Sequence, residues 1–375
     1  MNSAFRAVCE AAAERWRVPA LVVSTGEETV AVGCDPGTRF KIASVTKPLT
    51  AALALRLLDL ESETGVWPSD VRIRHLLSHT SGFDCELPDG DNAKYGTGDD
   101  ALERCVADLP GVVRLVGVED AWSYCNAGYW LAGLLAARRA GTTYEEALAA
   151  HVLRPAGVEA TDFGAPDLPG TGRAAADAPY PRSRRPSGGL VSTVPDLVRI
   201  AHWLLAQGAP QRVVVGKPPG GVYGLGLSGE RVGGVEVWGH RGSHGGFESS
   251  LLTIPSHGAV FAGLTNASNG GQALAEIEDA WLEQVLGARR PVPAYLDPEP
   301  GELDGLAGRY ANSADSYEVE ARDGALVVRS GGEELVGLKI RPRTFQVPSG
   351  EYVNERFDFP LEGYLRFGSL AARVG

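Results

Sequence analysis

The stretch FKIASVTKPLTA, residues 40–51, decides how this chain reads. From Ser44 to Leu60 the sequence is rich in alanine and leucine, which predicts a helix with Pro48 in its first turn. A missing backbone N–H is tolerated there. Positions i and i+3 share one helix face, so Ser44 and Lys47 come within hydrogen-bond reach. A serine hydroxyl becomes a nucleophile when a neighbouring base takes its proton. A lysine amine can be that base once burial and nearby cations lower its pKa. The helix N-terminus also offers backbone N–H groups to a developing oxyanion. Taken alone, Ser-x-x-Lys is a weak signal and reads more readily as a helix cap followed by a surface lysine.

Upstream, Phe5, Val8, Cys9, Ala12 and Trp16 recur at helical spacing and predict an amphipathic first helix. Ala20 to Ser24 and Thr29 to Val32 read as a hairpin across Gly26-Glu27. Downstream, about Asp70 to Ala160 is helical in character. Gly141 ends one helix there, and Thr142-Thr143-Tyr144-Glu145-Glu146 carries capping-box spacing for the next. Gly164 to Gly189 reads as a loop, and Ser192-Thr193-Val194-Pro195 starts a helix running to about Gln207. Strands are expected at Val222 to Leu227, Val235 to Trp238, Phe247 to Ile254 and Ala259 to Leu264, with a closing helix from Gln272 to Leu286. Short turns between neighbouring strands imply an antiparallel sheet. The expected class is α/β of the α+β kind: that sheet flanked by helices, with an inserted helical lobe.

Residues 287–303 form a proline-rich linker. Beyond it, residues 304–375 show strands at Glu318 to Ala321, Ala325 to Arg329, Glu334 to Ile340 and Thr344 to Val347 and no evident helix, which predicts a small β-barrel or sandwich. The expected division is therefore 1–286, 287–303 and 304–375.

Composition narrows the function classes. The 375 residues carry 47 acidic against 35 basic side chains, a formal net charge of −12, which argues against coating nucleic acid or an anionic membrane. No run approaches the roughly 20 apolar residues that span a bilayer. The first segment, with Arg6, Glu10, Glu14, Arg15 and Arg17, does not read as a secretory signal. The 5 cysteines are widely spaced with no C-x-x-C pair, so neither a disulfide framework nor a zinc site is expected and a cytoplasmic location fits.

Further candidates lie far from residue 44 in sequence. In Trp122-Ser123-Tyr124-Cys125-Asn126, the Tyr-x-Asn pair aims both side chains one way. The phenol can relay a proton and the amide can hold a substrate amide or the lysine. Tyr352-Val353-Asn354 repeats the spacing but sits in the β appendage and is rejected. In Trp238-Gly239-His240-Arg241-Gly242-Ser243-His244-Gly245-Gly246-Phe247, a strand-edge imidazole or cation can steady a leaving group, with oxyanion donors just beyond it. His240 and His244 share the His-x-Gly spacing. His75 and His79 stand four apart, yet no glutamate follows in HExxH fashion and no third ligand is near, so they read as structural and no metal is expected. The Arg182, Arg184, Arg185 cluster reads as a solvated loop. No G-x-S-x-G elbow or G-x-x-x-x-G-K phosphate loop occurs.

Together, Ser-x-x-Lys, Tyr-x-Asn and His-x-Gly in that order resemble the serine β-lactamase and penicillin-binding protein family: class C β-lactamases, D-Ala-D-Ala carboxypeptidases, esterases and acyltransferases. FKIASVTKPLTA, IRHLLSHTSGF, WSYCNAGYWLAG, GGLVSTVPDLVRI and GHRGSHGGF carry the likeness across roughly residues 1–286. The Gly246-Phe247 ending favours His240 over His244. LAGRY at Leu306 to Tyr310 resembles the start of the lipocalin-like β domain of some relatives.

The resemblance implies a β-lactamase/transpeptidase-like fold and a two-step acyl transfer without cofactor. Ser44 would be acylated, Lys47 would be its base or proton partner, and Tyr124 would serve as base in one half-reaction and acid in the other. Asn126 would bind a substrate amide. His240 would stand where many β-lactamases have lysine. The backbone N–H groups of Ser44 and Ser243 would form the oxyanion hole, with Gly242 beside them. Arg241 replaces a small hydroxyl residue. Facing the cleft it would bind a carboxylate; facing away it would have no part in specificity. Cys125 replaces a commoner serine and reads as packing. The substrate would be a small-molecule or peptide-like ester or amide. Hydrolysis is the first outcome. Transfer or cyclisation onto an amine or alcohol in a natural-product pathway is the second, suggested by the arginine-heavy, lysine-poor composition. A catalytically silent scaffold is the third.

Overall fold

Helix α1 (Ser3–Arg15) leads into the antiparallel pair β1 (Leu21–Ser24) and β2 (Thr29–Val32), as the apolar spacing predicts. The computed structural model describes residues 3–87, 92–172, 179–208, 215–217, 221–349 and 355–374. β3 (Phe40–Lys41) precedes a 3₁₀ turn at Ala43–Val45, and α2 (Thr46–Leu57) follows. The helix expected from Ser44 thus starts two residues later, and Ser44 itself sits in the tight turn. Every residue from Thr46 to Ala54 is buried, so α2 is a central helix enclosed on all sides.

The inserted lobe comprises α3 (Ile73–Leu77), α4 (Ala101–Ala107), α5 (Asn126–Ala140), α6 (Tyr144–Leu148) and α7 (Arg185–Gly188). Gly141 adopts a left-handed conformation and ends α5, and the Thr143 hydroxyl accepts the Glu146 N–H to cap α6. The segment read as a loop before Gly189 therefore contains a 3₁₀ turn at Arg182–Arg184 and the single turn of α7. β4 (Val191–Ser192) pairs with β3, and α8 (Val194–Gln207) follows, capped by Thr193.

The remaining strands are β5 (Val215–Lys217), β6 (Gly221–Tyr223), β7 (Ser228–Val232), β8 (Val235–His244), β9 (Phe247–Ile254) and β10 (Ala259–Thr265), closed by α9 (Gly270–Leu286). The sheet runs β2-β1-β10-β9-β8-β7-β6-β5, antiparallel throughout. Alternation sorts its side chains. Leu21, Val23 and Phe261 pack with Phe5, Cys9, Ile277 and Trp281 of α1 and α9 on one face. Val22, Val260, Ala262 and Leu264 pack with Leu197, Ile200 and Leu204 of α8 on the other.

Two strand expectations are corrected. Val222 to Leu227 is strand only to Tyr223. Gly226, at φ +85°, turns the chain against α2, and β7 follows where a turn was expected. The strand expected to stop at Trp238 runs on to His244. Its glycines mark close backbone approaches rather than a chain reversal.

β11 (Gly308–Ala311), β12 (Ser316–Arg322), β13 (Ala325–Ser330), β14 (Glu333–Arg341), β15 (Thr344–Gln346), β16 (Arg356–Asp358), β17 (Tyr364–Phe367) and β18 (Ser369–Arg373) form a closed barrel, each strand antiparallel to the next and β18 returning to β11. Leu326, Phe345, Phe357, Phe359 and Leu365 fill its interior. β11, β16, β17 and β18, three to five residues each, were not read as strands in the sequence, whereas β15, of three residues, was. Among the described residues no helix is long and apolar enough to cross a membrane. All 5 cysteines are free.

Candidate active site

Ile42 fixes the turn that presents Ser44. Its N–H donates to Leu190 O, and its carbonyl accepts the Val45 N–H and the Ser249 hydroxyl. Ala43, at φ +44°, holds a left-handed backbone that an alanine adopts only under local constraint. Ser44 is half-buried, and Lys47, one turn on, is fully buried. The Lys47 amine donates to Ser44 Oγ at 3.1 Å and to Ser187 O at 2.6 Å. It also lies 4.7 Å from the centre of the Tyr124 ring. Burial lowers its pKa to about 7, against the opposing pull of the Glu86 carboxylate and of Cys125.

Tyr124 precedes α5 and donates its phenol proton to Ser44 Oγ at 2.9 Å. Burial first, and then the neighbouring Tyr223, push its pKa well above the ordinary tyrosine value. The resting arrangement is therefore a protonated phenol and a lysine poised near neutrality, both on one hydroxyl. His79, also in a left-handed conformation at φ +61°, accepts the Cys125 N–H through Nδ1, and its ring lies 4.4 Å from that of Tyr124. His75 accepts the Arg72 N–H through Nδ1. Both histidines thus spend a ring nitrogen on the backbone. The Cys125 thiol donates to Asp84 O, and burial raises its pKa to about 12, which makes it packing rather than chemistry.

β7 begins at Ser228, opposite Gly239, so residues 240–244 of β8 run past it with that edge facing the Ser44 turn. Side chains alternate on this strand. His240 and Gly242 face the cleft, while Arg241 and Ser243 face α9. His240 Nδ1 donates to Arg241 O at 2.6 Å, so Nε2 carries the lone pair when the ring is neutral. Its ring lies 6.3 Å from Tyr124 and 6.2 Å from Tyr223. A Cβ on Gly242 would fall 2.8 Å from Ser44 N and 2.4 Å from Ile42 O, so only glycine lets the two backbones approach.

Arg241 is corrected as a substrate ligand. Its guanidinium pairs with Glu278 on α9, which is fully buried and also meets Arg290 at 3.0 Å and the Ser250 hydroxyl at 2.6 Å. The Ser243 hydroxyl likewise turns to Glu248 at 2.5 Å, leaving its backbone as the part on the cleft edge.

Asn126 opens α5 and donates its amide to Glu86 Oε1 at 2.7 Å, and Arg184 holds the other Glu86 oxygen at 2.7 Å. The arginine cluster is therefore pinned, not solvated: Arg182 and Arg185 share Glu145. Ser187 closes the floor, its carbonyl on Lys47 and its hydroxyl accepting from Trp130 Nε1 at 2.8 Å. Glu86, Arg184, Ser187 and Tyr223 carry no motif in the sequence and meet the site only through folding. The rejected Tyr352/Asn354 pair lies outside the described residues. Among the described residues no group of three or more His, Cys, Asp or Glu side chains could hold a metal ion.

An antiparallel sheet between helices, a helical lobe above it, and a serine, a buried lysine and a tyrosine joined at their seam define a class of protein. The chain belongs to the Beta-lactamase family, whose model matches residues 6–286. Among its relatives is penicillin-binding protein 4 of Amycolatopsis lactamdurans, 29% identical over 326 residues, covering 72% of this chain and 84% of that one. D-aminopeptidase of Cereibacter sphaeroides is 22% identical, covering 82% of this chain and 70% of its own. The crystal structure of SurE with D-Leu matches with a TM-score of 0.75 and 25% identity over 99% of both chains, barrel included.

Proposed function

We propose that this protein is a serine acyl-enzyme hydrolase acting on an ester or amide whose acyl group is aminoacyl or peptidyl, with D-configured residues as the substrate class to test first. The observation that carries the reading is the pair of hydrogen bonds on Ser44 Oγ, 3.1 Å from the Lys47 amine and 2.9 Å from the Tyr124 phenol. Neutral Lys47 takes the Ser44 proton as Oγ attacks the carbonyl carbon. The carbonyl oxygen becomes an oxyanion facing the backbone N–H groups of Ser44 and Ser243. Tyr124, held as a phenol, gives its proton to the leaving group and recovers one from the water that attacks the acyl-enzyme, while Lys47 returns its proton to Ser44 Oγ as the acyl–oxygen bond breaks. Asn126 binds the substrate amide, and His240 steadies the leaving side of the cleft. D-aminopeptidase among the relatives and D-Leu in the SurE crystal support the D-configured class.

Transfer to an amine is the second reading. It is favoured by the D-Leu of the SurE structure, a free amine of the kind that could accept the acyl group from Ser44. Incubating the protein with D- and L-aminoacyl p-nitrophenyl esters, with and without an amine acceptor, tests both. We expect an acyl adduct on Ser44 by mass spectrometry, faster turnover of D-esters, and no adduct in Ser44→Ala. Amide product outpacing free acid would make transfer the reaction. No adduct with any ester, lactam or fluorophosphonate would overturn the enzyme reading in favour of a silent scaffold.

A further inference from the structure

The loop that carries Tyr124 is held from two sides, and one of them is the barrel. Within the lobe, Ser123 N donates to His79 O at 2.9 Å, and Cys125 N donates to His79 Nδ1 at 3.0 Å. From the barrel, the β17–β18 hairpin supplies the rest. Gly368, at φ +77° in the hairpin turn, accepts the Tyr124 N–H at 3.3 Å. The Ser369 hydroxyl donates to Tyr124 O at 2.7 Å. Leu370 N donates to the Ser123 hydroxyl at 3.0 Å, and Arg366 donates to Trp122 O at 2.7 Å. Arg366 is itself fixed by Asp358 through two parallel bonds of 2.9 and 2.6 Å, and both side chains are buried. Both backbone groups of Tyr124 therefore end on barrel residues. Two further bonds flank this patch: Tyr364 OH to Leu115 O at 2.7 Å, and Ser313 N to the buried Asp84 carboxylate at 2.8 Å.

We propose that the β17–β18 hairpin, through Ser369, Gly368 and Arg366, is a positioning device for the Tyr124 phenol, so that the barrel sets the rate of acylation rather than serving only as a prop. The inference rests on the proposed role of Tyr124 and adds how that role is maintained. An unsatisfied Tyr124 carbonyl would let the peptide plane rotate, and the phenol oxygen lies at the far end of that lever. A displacement of about 1 Å at a reacting group costs on the order of 10²-fold in rate. The barrel's filled interior agrees with this use, since a rigid, packed body makes a firm anchor.

The test is a double-mutant cycle on the full chain, with a D-aminoacyl ethyl ester as the acylating probe, whose ethoxide leaving group needs the proton that Tyr124 gives. The acylation rate constant and the apparent ester affinity are separated by varying ester concentration. We expect Ser369→Ala to lower the rate constant roughly 10-fold with ester affinity unchanged, a loss smaller than full displacement because Gly368 and Arg366 still hold the loop. In a Tyr124→Phe background the same substitution should cost nothing further, because its effect runs through the phenol. Arg329→Ala, on the barrel's exposed face away from the hairpin, should match the parent and controls for changes to the barrel as such. A Ser369→Ala variant acylating like the parent beside a crippled Tyr124→Phe would overturn the hairpin's role alone. Losses that multiply in the double variant would overturn it too. Tyr124→Phe acylating normally would remove the role of Tyr124 and this inference with it.

Discussion

At the scale of single residues, the proposed mechanism makes Lys47 the group that sets the pH behaviour. In that mechanism its amine must be neutral to accept the Ser44 proton, and burial brings its pKa to about 7. Acylation should therefore fall as the pH drops through about 7 and level off above it, until other groups intervene. Stopped-flow acylation across pH reads that limb directly. Glu86 acts in the opposite sense to burial, since its carboxylate favours the ammonium form. Glu86→Gln removes that support and should move the limb to lower pH. A limb that stays put, or moves up, would remove Glu86 from the electrostatics of the site. Ser44, Lys47, Tyr124 and His240 were all legible as residues because each sits in a short motif with a chemical reason for its spacing. Glu86 and Ser187 were not, because a carboxylate and a backbone carbonyl gain meaning only from what folding places against them.

At the scale of elements, β8 is the part that matters most. Residues 239–246 look like a turn in sequence because of their glycines, and the strand continues through them to His244 because those glycines let it pass against the Ser44 turn. Gly242→Ala tests this. Its methyl would meet Ile42 O at 2.4 Å and Ser44 N at 2.8 Å, both backbone atoms that cannot swing aside. We expect a folded protein destabilised by about 1–3 kcal/mol and acylating on the order of 10²-fold more slowly as β8 is pushed off the oxyanion side. Wild-type acylation in this variant would mean that the approach of the two backbones has no part in the chemistry. Helices and long strands such as α8 and β9 were readable because caps and periodicity are local. The barrel's short strands β11, β16, β17 and β18 were not, because closure rather than propensity determines where each one pairs.

At the scale of the whole molecule, the barrel and the catalytic part share buried polar contacts that neither can satisfy alone. Arg366 bridges them, joining Asp358 of the barrel to Trp122 O of the tyrosine loop. Arg366→Met leaves a buried carboxylate without its partner, at a cost of about 3–5 kcal/mol. All 7 tryptophans precede residue 287, so tryptophan fluorescence reports on the catalytic part alone. Its denaturant midpoint should fall in Arg366→Met even though the substitution lies in the barrel. An unchanged fluorescence midpoint would mean that the two parts unfold independently.

The sequence by itself singled out Ser44, Lys47, Tyr124 and His240 as candidates and the order in which the chain delivers them, since spacing along a helix or strand is a local property. It also determined the fold class, because apolar periodicity selects helix or strand before any tertiary contact forms. Only the tertiary structure decided which way Arg241 points, what seals Lys47 from water and what grips the Tyr124 backbone. Those are contacts between segments tens to hundreds of residues apart, and their geometry exists only when the chain has closed around them.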